Sequence, residues 1–165
     1  MIPQTALVVS SPFGAALSAE DVARAIARGL VAGGLAEPDL CPLDAEEPTQ
    51  DDGSGRAAAE RVRETGGALV PDVAALLARL DFDARMRRAR AVVLAQERLH
   101  ERTLRGSVAF EIATRARQGG VPAYAVTGRN ALAPFDARIL DLQVILEAND
   151  KRALAGAGRK LARLL

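Results

Sequence analysis

Residues 89–128, ARAVVLAQERLHERTLRGSVAFEIATRARQGGVPAYAVTG, carry the pattern that decides the fold. Ala91–Ala95 is a short apolar run rich in valine, and Gln96–Arg105 is polar. Val108, Ile112 and Ala116 then recur every fourth residue, which places them on one helical face. Gly119 and Gly120 stop that helix, because glycine tolerates the left-handed backbone a helix end needs. Val121–Val126 is apolar again, and Gly128 closes it. The stretch reads as strand, loop, helix, turn, strand. Such a β-α-β unit pairs its strands in parallel through a right-handed crossover.

The same alternation extends outward. Ala6–Val9 reads as a strand, followed by a loop over Ser10–Leu17 that holds Pro12 and Gly14. Ser18 is a good N-cap, and Asp21 three residues on completes a capping box. Val22, Ile26 and Leu30 form the apolar stripe of that helix, and Gly33-Gly34 ends it. Asp39–Leu43 (DLCPL) is a second strand, and Pro42 marks it as an edge, since proline donates nothing to the ladder. Asp44–Gly55 is acidic and turn-rich, an exposed loop without the spacing of metal ligands. Ser54–Glu64 reads as a polar helix stopped by Gly66-Gly67. Pro71 suits a first helical turn, with Val73, Leu76, Leu77 and Leu80 on one face. Asp81–Arg90 adds a short basic turn, RMRRAR, read as a solvated helical face ahead of a nucleic-acid patch. Beyond the central unit, Arg129–Ala137 reads as a loop and Ile139–Leu146 as a fifth strand. Asn149 caps a last helix that buries Leu154, Leu161 and Leu165, with Gly156 and Gly158 either weakening it or marking close packing.

Five short strands alternating with helices call for an α/β fold, a flavodoxin-like doubly wound parallel sheet of order 2-1-3-4-5, over one domain spanning 1–165. In that order the loops Ser10–Leu17 and Gln96–Ser107 face each other at the carboxyl ends of the strands, where such folds bind ligands.

Composition narrows the function. The chain has 165 residues, 49% hydrophobic and 26% charged, with net charge +1. That balance gives no electrostatic case for nucleic acid or a membrane surface. Aromatics at 3% leave few stacking platforms for single strands. One cysteine, Cys41, excludes a disulfide framework and a multi-cysteine zinc site; it reads as a small core residue, with no neighbouring His or Lys to activate it. The first residues lack a leader pattern, so a cytoplasmic location is expected. Among 22 basic residues only Lys151 and Lys160 are lysines, so no N-terminal loop can offer an ammonium.

Two stretches resemble the ATP-dependent glycerate kinases. VVSSPFGAALSAE, over residues 8–20, resembles that family's A-P-D-S-F-K-G-S-L-S-A loop. VVLAQERLHERTLRGS, over residues 92–107, resembles V-I-T-G-E-G-R-L-D-x-Q-T-x-x-G-K, and the G-V-P strand follows in both. Phe13, Leu17, Ser18, Ala19, Arg98, Leu99, Thr103 and Gly106 stand in register. The resemblance implies ATP-dependent phosphorylation of glycerate, with ATP and magnesium as cofactors if the chain is active. It also implies a second α/β domain inserted into the first, for which this chain leaves little room.

The charged positions of those motifs are replaced. The family Asp, Ser and Lys of the first loop fall on Ser11, Pro12 and Gly14. Its Glu, Gly, Asp, Gln and final Lys in the third loop fall on Gln96, Glu97, His100, Arg102 and Ser107. In the acidic loop Ala45 stands at the family Asp. Phosphoryl transfer needs cations or carboxylate-held magnesium, and these substitutions remove both. The expectation is a degenerate member that retains at most small-anion binding, a hydroxy acid or phosphate.

The candidate ligand-binding residues are Ser10, Ser11, Gln96, Arg98, Arg102, Thr103 and Gly128, with His100 the one candidate general base and no metal site. Arg98, Arg102, Arg105 and His100 make the third loop cationic. Pairing with Glu97 and Glu101 is the competing account of those charges. Two other functions stay open: an active kinase or transferase using Arg and His, and a non-catalytic interaction module, a homo-oligomer or the partner of another protein.

Overall fold

A computed structural model describes residues 4–43, 71–104 and 106–165. The expected acidic loop, the polar helix after it, Ala45 and Arg105 lie outside the described residues. The chain runs β1 (Ala6–Ser10), α1 (Ala19–Ala32), β2 (Asp39–Pro42), α2 (Pro71–Arg79), α3 (Phe82–Arg88), β3 (Ala91–Leu99), a 3-10 turn (Glu101–Leu104), α4 (Val108–Gln118), β4 (Ala123–Asn130), α5 (Pro134–Leu140), β5 (Leu142–Glu147) and α6 (Lys151–Ala162). The strands form one five-stranded sheet in the order β2-β1-β3-β4-β5, parallel at every pairing. This is the flavodoxin-like order expected from the alternation of elements.

Strand alternation explains how the sheet is covered on both faces. Val8, Val93, Tyr124 and Val126 turn to one side and meet Val22, Ile26 and Leu30 of α1 and Leu154 and Leu161 of α6. Leu7, Val9, Val92 and Leu94 turn to the other and meet Leu77 of α2, Phe82 and Met86 of α3, and Ile112 and Ala116 of α4. Side chains as fully buried as Ile26, Ile112 and Leu161 each cost about 2–5 kcal/mol when truncated to alanine.

Local signals set the ends of these elements. Ser18 caps α1 through a complete capping box with Asp21, whose two bonds to Ser18 lower its carboxyl below the ordinary carboxylate value. Where α6 crosses α1, Gly158 and Gly29 let the backbones touch: a Cβ on Gly158 would lie 2.3 Å from the Ile26 carbonyl oxygen. Pro42 sits on the edge strand, paired with Ser10. Cys41 is buried there, and desolvation raises its thiol pKa against the nearby Arg85 cation.

Four boundaries differ from the sequence expectation. Arg85–Arg88 of RMRRAR lie in α3, where Arg87 and Arg88 are the solvated helical face expected, but Met86 is buried and Arg85 grips Asp39 through two nitrogens at 2.7 and 2.8 Å. Residues 96–99 are strand, not loop, because β3 runs on beside β4 as far as Leu99 and Asn130. Residues 134–140 form α5, which takes in Ile139, so the fifth strand begins at Leu142. Asp150, not Asn149, caps α6, its carboxylate accepting from the Ala153 N–H at 2.7 Å.

Candidate functional site

The carboxyl ends of β1, β3 and β4 lie side by side, and their loops form the expected crevice. The loop after β1 is closed on itself. Ser10 is fully buried, and its hydroxyl donates to the Ala19 carbonyl at 2.6 Å. Ser11 donates its N–H to the Ala95 carbonyl at 2.9 Å, and Phe13 bridges back to Leu17. Gly14 takes φ +61°, a left-handed turn, and a Cβ there would lie 3.5 Å from a Glu97 carboxylate oxygen. The crevice wall beside this loop is therefore acidic.

The other half of the site is the extension of β3 and β4 past the covered sheet. Gln96 pairs with Thr127, Arg98 with Arg129, and Leu99 with Asn130. Gly128 faces the Glu97 backbone so closely that a Cβ would sit 2.9 Å from the Glu97 carbonyl oxygen. The neighbouring Thr127 hydroxyl donates to that same carbonyl at 3.2 Å. These contacts lock the register of the two extensions.

Alternation then sorts the side chains by face. Arg98 follows Val92 and Leu94, on the side of α2, α3 and α4; Glu97 follows Val93 and Ala95, on the side of α1. Arg129 shares the face of Arg98 as its register partner, and His100 and Ala131 continue the two rows. These four residues line an open depression of about 240 Å3. Neither Arg98 nor Arg129 forms an ion pair among the described residues. In the competing account Glu97 and Glu101 pair with the arginines of this loop; Glu97 lies on the opposite face from Arg98, and among the described residues neither carboxylate forms an ion pair.

His100 is held in one orientation. Its Nδ1 accepts from the Arg102 N–H at 3.1 Å, which puts the proton of the neutral ring on Nε2. The neutral ring thus carries its donor at Nε2, and a general base there would need that nitrogen bare. Thr103 is buried and works inside the turn, accepting from the His100 N–H at 3.1 Å. Its carbonyl takes the hydroxyl proton of Ser107, which also caps α4 by accepting from Phe110 N–H. Arg102 is exposed at the rim.

The structure thus brings together Arg98 and His100, turns Ser10 and Thr103 inward, and leaves Ser11 and Gly128 on the acidic side with Glu97. Arg129, read from sequence as the start of a loop, joins the site through its register against Arg98, a long-range fact. Among the described residues no group of three His, Cys, Asp or Glu side chains comes together to hold a metal. No helix among them is long and apolar enough to cross a membrane.

No curated protein and no solved structure matches the chain. The model of the glycerate kinase family matches residues 45–160, more than half of its length.

Proposed function

This chain belongs to the glycerate kinase family, and from that membership we propose that it is a member without phosphoryl-transfer activity that retains binding of a small anion at Arg98, His100 and Arg129. The observation that carries this reading is the depression itself: Arg98, Arg129 and His100 line it, and among the described residues neither arginine has an ion-pair partner and no carboxylate belongs to the lining.

The loss of transfer is supported by a reversal of charge. At the facing positions of the first and third loops the family places Lys and Gly, and this chain has Gly14 and Glu97. Gly14 offers no cation, and the Glu97 carboxylate lies over its backbone. A triphosphate entering there would meet a like charge where transition-state stabilisation requires a positive one. Between Pro42 and Pro71 the sequence also leaves little room for a second α/β domain.

The test is a thermal-shift titration with phosphate, glycerate and magnesium-ATP in parallel. A ligand at 100 times its Kd adds about 2.7 kcal/mol to stability. Shifts with phosphate or glycerate that vanish in Arg98→Ala support the reading. A shift with magnesium-ATP that survives in Arg98→Ala overturns it.

One observation favours a second reading as an interaction module. On α5, Phe135 is 72% exposed and Ile139 39% exposed, one helical turn apart on the same face. Phe135→Asp in a sedimentation experiment separates the two: loss of a self-associated species, with no response to any anion, favours the module.

A further inference from the structure

We infer that the depression selects a doubly charged tetrahedral oxyanion, inorganic phosphate or a small phosphomonoester, over singly charged anions such as carboxylates. The inference rests on the anion-binding reading above and adds to it the charge and shape of the ligand.

Three features carry it. Arg98 and Arg129 are register partners on adjacent parallel strands, and their side chains rise from the same face. Their Cα atoms are therefore about one strand spacing apart, roughly 4.8 Å. The two side chains carry like charges from neighbouring positions, and neither has a carboxylate partner among the described residues. A ligand with one negative charge leaves a net positive charge behind; a ligand with two neutralises both.

Geometry points the same way. A carboxylate offers one plane of two oxygens and is filled by a single guanidinium fork. Here a second fork lies alongside, and His100 adds a third donor, its Nε2–H fixed by the bond at Nδ1. Three donor-bearing side chains on one depression suit the several oxygens of a tetrahedral group. The strand pair is rigid at this point, because Gly128 and Thr127 pin it against the Glu97 carbonyl. At about 240 Å3 the depression is smaller than ordinary drug-sized pockets. It opens to solvent and leaves space for a short organic stem.

The experiment is isothermal titration calorimetry at pH 8 and constant ionic strength, with inorganic phosphate, methyl phosphate, dimethyl phosphate and acetate. Dimethyl phosphate keeps the tetrahedral shape and carries one charge. Phosphate and methyl phosphate are expected to bind at least tenfold more tightly than dimethyl phosphate or acetate. In Arg129→Ala that preference collapses to within about threefold, while Arg28→Ala, an exposed arginine on α1, leaves it intact. Equal affinities for all four anions, each still weakened by Arg98→Ala, overturn this inference and leave the anion-binding reading standing. No binding of any of the four overturns both. Arg98 and Arg129 are exposed, and unchanged circular dichroism of each variant excludes misfolding as the cause.

Discussion

Gly158→Ala tests whether the α1–α6 crossing holds the fold as described. The added methyl lies 2.3 Å from the Ile26 carbonyl oxygen and 2.9 Å from both the Gly29 Cα and the Leu30 nitrogen. All three are backbone atoms, so no side chain can swing aside. Restoring ordinary contact requires the helices to part by roughly 1 Å. That separation thins the packing of Ile26, Leu30, Leu154 and Leu161, all fully buried at this crossing. Overpacking of this kind costs about 1–3 kcal/mol, and rigid walls on every side put it near the top of the range. Alanine returns about 1 kcal/mol of helix propensity over glycine. The net loss is about 2 kcal/mol, a fall in Tm of roughly 4–8 °C for a chain of this size. Thermal and urea unfolding by circular dichroism measure it, with the urea midpoint falling at constant slope. Anion affinity of the folded variant stays at the wild-type value, because the depression opens on the opposite face of the sheet. A Tm equal to or above wild type would refute the argument, since it would mean the two backbones do not meet at this glycine.

Further predictions follow from single contacts. Gly128→Ala pushes on the Glu97 carbonyl at 2.9 Å; it costs about 1 kcal/mol and weakens phosphate binding several-fold by calorimetry, because the Arg98–Arg129 register shifts. Ser18→Ala removes the N-cap and lowers stability by about 1 kcal/mol. Asp21 has its pKa lowered chiefly by the Ser18 hydroxyl and then by the Ser18 N–H. Its contribution is present above the ordinary carboxylate value of 3.8 and is lost as pH falls through the folded value. The gap in Tm between wild type and Ser18→Ala therefore narrows on acidification below pH 3.8. Asp39→Ala leaves Arg85 without its two-point partner and costs about 1–2 kcal/mol in urea unfolding, discounted for the partial exposure of Asp39. Cys41 is buried with its thiol pKa raised, so a thiol reagent labels it at the rate of unfolding rather than at the rate of a free thiol.

The fold was legible where the apolar pattern reports burial directly. Val22, Ile26 and Leu30 fall every fourth residue and all reach the core, and the valine-rich runs at Leu7–Val9 and Val92–Leu94 are the central strands. Reading failed where elements stand outside that core. Gln96, Glu97 and Arg98 are polar or charged strand residues held by their pairing with β4, and no local pattern announces a strand that projects beyond its helices. The α5 segment PFDARIL turns Phe135 and Ile139 outward, so Pro134 reads as a loop residue. Asn149 and Asp150 are both good caps in adjacent positions, and only geometry chooses Asp150. At the site, the motif register named Arg98 and His100. It could not sort Arg98 from Glu97, because neighbours in a strand look alike in a loop and point oppositely in a sheet. Arg129 joined them only through the register of β3 on β4.

The most direct test of the account is one phosphorus NMR experiment on the protein with glycerate, magnesium-ATP and inorganic phosphate together. The account predicts that the phosphate resonance is broadened by wild type and not by Arg98→Ala, and that no phosphoglycerate signal grows above the protein-free control. Growth of phosphoglycerate with wild type would contradict it, and so would a phosphate resonance untouched by the protein.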